Sequence, residues 1–139
     1  MNTSNPIIKI VAAVVGAVIG YAVVSGVINK GEHFDQELVK VADTLNKNLP
    51  MSVDQETRWD STLAGPGNRF TYIYTLVNRT KDGLDVPSFI RAIRPGIISG
   101  YKTSDEMKTF RKHNVNLHYQ YKDKNGEFVV EIVVSPTDF

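Results

Sequence analysis

Val115 to Ser135 reads VNLHYQYKDKNGEFVVEIVVS, and this stretch decides the fold. Val115, Leu117, Tyr119 and Tyr121 alternate with Asn116, His118, Gln120 and Lys122. A period of two sends one set of side chains to a core and the other toward water, which is the mark of a half-buried strand. Asn125-Gly126 then supplies two residues that tolerate positive φ, the pair that turns one strand back on the next. The run EFVVEIVVS continues as the partner strand, so the chain closes on a hairpin.

Upstream, Ser52 to Leu63 and Asn68 to Asn78 flank the turn string GPGN. Phe70, Tyr72, Tyr74 and Leu76 alternate there against Thr71, Ile73, Thr75 and Val77, which predicts a second hairpin. Between the two hairpins the period becomes helical. It runs through Phe89, Ile90 and Ile93, meets a break at Arg94-Pro95-Gly96 and resumes at Ile97 and Ile98. A further helix is predicted from near Thr103, where Thr103 and Glu106 fit a capping box, and Asn114 closes it. Ahead of the first hairpin, Phe34, Leu38, Val41, Ala42, Leu45 and Leu49 share one helical face until Pro50 stops the pattern. The order α-ββ-α(α)-ββ predicts an α+β domain over residues 31–139, a four-stranded antiparallel sheet packed on one face by helices.

The first 30 residues have a different character. Ile10 to Ile28 are uncharged and mostly apolar, with Lys9 and Lys30 on either side. A bilayer core of about 30 Å needs about 20 such residues in a helix, so the expectation is an N-terminal transmembrane anchor. A cleaved signal peptide is the competing reading, but the apolar run is long for one and Val23-x-Ser25 is a poor cleavage site. With no cysteine to acylate, a lipoprotein anchor is excluded. The short acid-free leader favours the N-terminus inside and the domain outside, which puts it in the periplasm of a bacterium, held in the inner membrane by a single span. Ala12, Gly16 and Gly20 recur every four residues, the spacing that lets two helices approach closely in lipid. Small residues are common in such helices, and that alone accounts for the spacing; a helix-helix contact is the sharper reading.

Beyond the anchor the charges balance, since Lys9 and Lys30 belong to the 16 Lys+Arg that oppose 15 Asp+Glu. No basic stripe appears, so nucleic acid is not an expected partner. Zero cysteines exclude disulfides, iron–sulfur clusters, thiolate zinc sites and cysteine catalysis. His33, His113 and His118 show no close ligand pair, and no cofactor or metal is expected. Ser99-Gly100-Tyr101-Lys102 matches S-x-x-K without the partner strings of penicillin-binding enzymes, so it reads as a connector. Asp54, Glu56 and Asp60 share a parity along a predicted strand, which suits glycoside chemistry in principle and a solvated face with Arg58 more simply. No catalytic residue is assigned.

Two sets of residues remain as a candidate interaction surface. Trp59, Tyr72, Tyr74, Tyr119 and Tyr121 are of the types enriched at binding hot spots, although cross-strand packing inside the sheet explains them better. Arg91 and Arg94 stand three apart on a helix, close enough to hold one anionic group together.

The strings LPMSVDQETRWDS and FTYIYTLVN, with the C-terminal hairpin VNLHYQYKDKNGEFVVEIVVSPTDF, resemble a group of small bacterial envelope proteins of uncharacterised function. That group carries one cysteine near the second helical region and another at the chain end, where Phe139 stands here, so no disulfide carries over. The resemblance implies an exported bacterial domain and brings no activity. The expected function is a membrane-anchored extracytoplasmic interaction or accessory module. Its expected partners are the membrane, another envelope protein, and a second copy through the anchor. The alternative is a small-ligand binder or small hydrolase with a cleft lined by Tyr72, Tyr119 and the arginines.

Overall fold

The computed structural model describes residues 34–139. Helix α1 (Phe34–Asn46) leads into a two-residue strand β1 (Met51–Ser52), then β2 (Thr57–Gly65) and β3 (Arg69–Leu76). Helix α2 (Val86–Thr103), a 3-10 turn (Asp105–Met107) and the short helix α3 (Lys108–Lys112) cross back to β4 (Asn116–Lys122) and β5 (Phe128–Val134). A last 3-10 turn (Pro136–Asp138) ends the chain.

Both predicted hairpins form. Gly67 and Asn68 at φ 75° and 58° turn β2 into β3, and Gly126 at φ 79° turns β4 into β5. Asn114 at φ 54° closes α3, a left-handed position that asparagine tolerates better than most residues.

The expected four-stranded antiparallel sheet is corrected on two counts. The sheet has five strands in the order β1-β2-β3-β4-β5, and β3 pairs with β4 in parallel, Arg69 opposite Asn116 and Tyr74 opposite Tyr121. The added strand, β1, pairs only Met51 with Trp59 and Ser52 with Arg58. The parallel pairing follows from the path of α2 and α3, which return the chain to the end where β3 began, so that the Asn116 amide reaches Asn68 O at 2.7 Å. No described helix is long and apolar enough to cross a membrane. The span expected over residues 10–28, with Ala12, Gly16, Gly20 and the neighbouring His33, lies outside the described residues.

Helix α2 also departs from expectation, running unbroken through Pro95. Proline denies the Arg91 carbonyl its intrahelical donor, yet Phe89, Ile93, Ile97 and Tyr101, four apart, are all buried and bind this helix to the sheet along its length. Tertiary packing overrides the local cost. Asp85 caps the start, accepting from the Ser88 amide at 3.4 Å and the Ser88 hydroxyl at 2.7 Å. Because α2 includes Thr103, the predicted capping box there does not form; the Thr103 hydroxyl donates to Ser99 O instead.

The core lies between one face of the sheet and the helices. Phe70, Tyr72, Tyr74 and Leu76 of β3, Leu117, Tyr119 and Tyr121 of β4, and Val130, Ile132 and Val134 of β5 face inward. They meet Leu38, Val41, Ala42 and Leu45 of α1 and the buried stripe of α2. A bulge between Trp59 and Ser61 breaks the parity of β2, so that Thr57, Trp59 and Thr62 turn inward and Ser61 does not.

Candidate functional site

Trp59, Tyr72, Tyr74, Tyr119 and Tyr121 all lie in this core, none more than 3% exposed. Tyr72 stacks on Tyr119 with ring centroids 4.8 Å apart, Tyr74 on Tyr121 at 5.2 Å, and Trp59 tilts against Tyr72 and Tyr74. The strand period explains the cluster, since same-parity residues on the paired strands β3 and β4 come side by side. Burial pushes the phenols of Tyr72, Tyr74, Tyr119 and Tyr121 upward, and neighbouring tyrosines add to the shift for the first three. These five residues offer no outer surface, and the tyrosines share no cleft with the arginines.

Arg91 and Arg94 are on the outer side of α2 and do not form a clamp. Arg91 Nη2 donates to Ser88 Oγ at 3.0 Å, toward the start of the helix. Arg94 reaches the other way, Nη1 to Val133 O at 2.9 Å and Nη2 to Asp138 at 3.4 Å. What surrounds them is a groove of about 690 Å³, with Ile90, Pro95 and Ile98 between Arg91, Arg94 and Lys102. Ser99 and Thr103 line it too, and among the described residues no carboxylate does. Ile90, Arg94 and Ile98 fall four apart, a second stripe beside the buried one. Ile90 and Ile98 are half-buried, and the three cations alternate with the apolar residues around the same helix face, so the groove is apolar and basic together.

The sequence places Ile90 and Ile98 with the core periodicity, Pro95 at a break and Lys102 in a connector, and none of them in a site. The signal was the width of the apolar arc, Phe89-Ile90, Ile93 and Ile97-Ile98, which exceeds what one sheet contact covers. Ser99 and Lys102 both sit on this outer face.

The other candidates for chemistry have structural partners. Asp54 precedes β2 and accepts the Glu56 and Thr57 amides at 2.7 and 2.8 Å. Glu56 pairs with Arg79 at 3.3 Å, and Asp60 pairs with Arg58 at 2.6 Å and accepts from the Thr75 hydroxyl. The three acids do not share a strand face, because β2 starts only at Thr57. His113 stacks on Phe34 with centroids 3.8 Å apart. On the open face of the sheet His118 Nδ1 lies 3.1 Å from Glu131, which also accepts from Gln120 at 2.6 Å. Burial raises the Glu131 carboxyl, but the hydrogen bond from Gln120 and the nearby His118 and Arg69 outweigh it and leave it lowered. Among the described residues no cluster of three or more His, Cys, Asp or Glu is placed to hold a metal.

Residues 33–130 match a family described as Domain of unknown function (DUF8479). No curated protein matches the chain. Three solved structures share the fold at low identity. One is the pilotin EpsS of the Vibrio vulnificus type 2 secretion system, 9% identical, TM-score 0.58, covering 74% of this chain and 88% of that one. Another is the type II secretion system pilotin AspS of Vibrio cholerae, 10% identical, TM-score 0.56, covering 76% and 91%. The third is a candidate secreted protein of Pseudomonas aeruginosa, 14% identical, TM-score 0.57, covering 75% and 94%.

Proposed function

The chain belongs to the DUF8479 family, and from that premise we propose that it is a non-catalytic accessory protein of the bacterial envelope, which docks another envelope protein on the outer face of α2. The observation that carries this reading is the groove: Ile90, Pro95 and Ile98 share one face of α2 with Arg91, Arg94 and Lys102, and among the described residues no acid lines it. A helix face that mixes apolar side chains with one sign of charge suits a partner segment that presents apolar and acidic side chains together. The fold it shares with two secretion-system pilotins and a secreted protein supports an extracytoplasmic setting and a role in assisting another component. Arg91 and Lys102 are the expected charge contacts, and Ile98 the apolar one.

Photocrosslinking in cells tests the reading. Probes replace Ser99 on α2 and Lys122 on the open sheet face of the full-length chain, and captured proteins are identified by mass spectrometry. The expected result is one dominant envelope protein from Ser99 and none from Lys122, with capture lost in the Arg91→Glu, Lys102→Glu double variant. Equal capture from both positions, or capture that survives the double variant, overturns it.

A further inference from the structure

Strand β5 ends the sheet, so among the described residues one of its sides has no neighbouring strand. The direction of its backbone groups follows from β4. The Asn116 amide bonds toward β3, at Asn68 O, whereas the Asp123 amide bonds toward the β5 side, at Glu127 O. Alternation between these points turns Tyr119 and Tyr121 toward Ile132 and Val130, their register partners. The amides and carbonyls of Glu131 and Val133 therefore face outward, away from the sheet. Arg94 Nη1 occupies one of them, Val133 O, at 2.9 Å. Arg94 also lines the groove on α2, so its side chain links the groove to the strand edge.

We propose that the β5 edge is a strand-addition site, taken by an extended acidic segment of the envelope partner that runs beneath α2 and displaces Arg94 from Val133 O. The proposal rests on the docking reading above and adds the partner's conformation and charge. An added strand gains its affinity from main-chain hydrogen bonds to the open edge, and its selectivity from alternate side chains that enter neighbouring pockets. Side chains on the α2 side of such a strand lie toward the stripe Ile90, Arg94 and Ile98, with Arg91 and Lys102 further out on the same helix to attract carboxylates. Val133, 41% exposed, and Phe128, 52% exposed, extend the apolar contact along the strand. A second copy of β5 suits the edge less well, because that strand carries a single acid, Glu131, to meet the cations of α2. Arg94 is then a guard: a cationic side chain laid on an open edge is one of the ways proteins keep such strands from pairing indiscriminately.

The test titrates isotope-labelled full-length protein with two blocked peptides of equal charge, an alternating Glu-Val octapeptide and a helix-forming Glu-Ala-Leu peptide. The extended peptide is expected to shift the Glu131 and Val133 amides and slow their hydrogen exchange by about tenfold. Lys102→Glu should weaken that binding, and Arg94→Ala should strengthen it by removing the guard. Val133→Pro deletes an outward amide, sparing the β4 ladder, and should abolish binding. Helical-peptide binding at α2 that leaves the β5 amides unmoved overturns strand addition and leaves the docking reading standing. Binding by neither peptide, tighter self-association of Arg94→Ala without peptide binding, or loss of peptide affinity in Arg94→Ala also overturns it. The docking reading falls separately, through the crosslinks from Ser99.

Discussion

Tyr101 of α2 and Tyr72 of β3 are both buried between helices and sheet, yet their hydroxyls have different standing. Tyr101 donates to Val115 O at 2.7 Å, tying the end of α2 to the residue that leads into β4. Tyr72, Tyr74 and Tyr119 find no hydrogen-bond partner among the described residues, so their rings contribute packing and their hydroxyls a desolvation cost. Tyr101→Phe strands a buried carbonyl and is expected to destabilise by about 1–2 kcal/mol. Tyr72→Phe removes an unpaired group at constant shape, and is expected to be neutral or stabilising by up to about 1 kcal/mol. Urea midpoints of the two variants check the contrast; equal losses would mean that the Tyr72 hydroxyl has a partner in solution. Trp59 shows the same economy, its indole donating to Ser61 O at 3.2 Å across the bulge that places it.

Helix α2 carries both the core contact and the proposed docking face, and Pro95 sits on the second of these. An interior proline costs about 3 kcal/mol in an exposed helix. Pro95→Ala restores a donor to the Arg91 carbonyl and is expected to stabilise the domain by about 1–2 kcal/mol, read as a rise in the thermal midpoint. An unchanged or lowered midpoint would show that the helix bends around Pro95 for a packing reason that alanine cannot meet. Side chains at helix positions also close both margins of the sheet. Arg94 covers Val133 O on β5, and the Asn46 amide at the end of α1 pairs with the Thr62 N–H and C=O at 2.8 and 2.9 Å, beyond the reach of β1. The two hairpins were legible in the sequence, because alternation and turn residues are local. The two-residue β1 is too short to show a period, and the parallel β3–β4 pairing depends on where α2 and α3 return the chain. The break expected at Pro95 failed because propensity does not register a buried stripe on the opposite side of the helix. The site was legible only in part. The spacing of Arg91 and Arg94 was visible, but their divergence depends on Ser88, Val133 and Asp138, two of which are distant in sequence. The aromatic residues read correctly by parity as core; residue type alone had suggested a surface.

Across the whole molecule, ionisable groups set the pH range in which the fold holds. The carboxyls of Asp123 and Asp138 are lowered chiefly by backbone N–H donors, from Lys81 and Glu127 for the first and Ser135 for the second. A lowered carboxyl stabilises the fold at every pH above its unfolded value, near 4, and that contribution drains away as pH falls below about 4. The tyrosines act at the other end. Burial raises the phenols of Tyr72, Tyr74, Tyr101, Tyr119 and Tyr121, so unfolded chains release protons above about pH 10 that folded chains retain, and stability falls as pH rises past that point. The expected profile of urea midpoint against pH is flat from about 5 to about 9 and falls on both sides. Phenolate absorbance should appear in one cooperative step that coincides with unfolding, since five of the six tyrosines, all but Tyr21, cannot ionise in place. A gradual titration near pH 10 with the far-ultraviolet signal intact would mean that these rings reach solvent in the native state, and would reopen the sheet interior as a binding cleft. If the cooperative step is found instead, the aromatic layer is committed to holding sheet and helices together. The outer face of α2 and the edge of β5 then stand as the proposed docking sites, outside that layer.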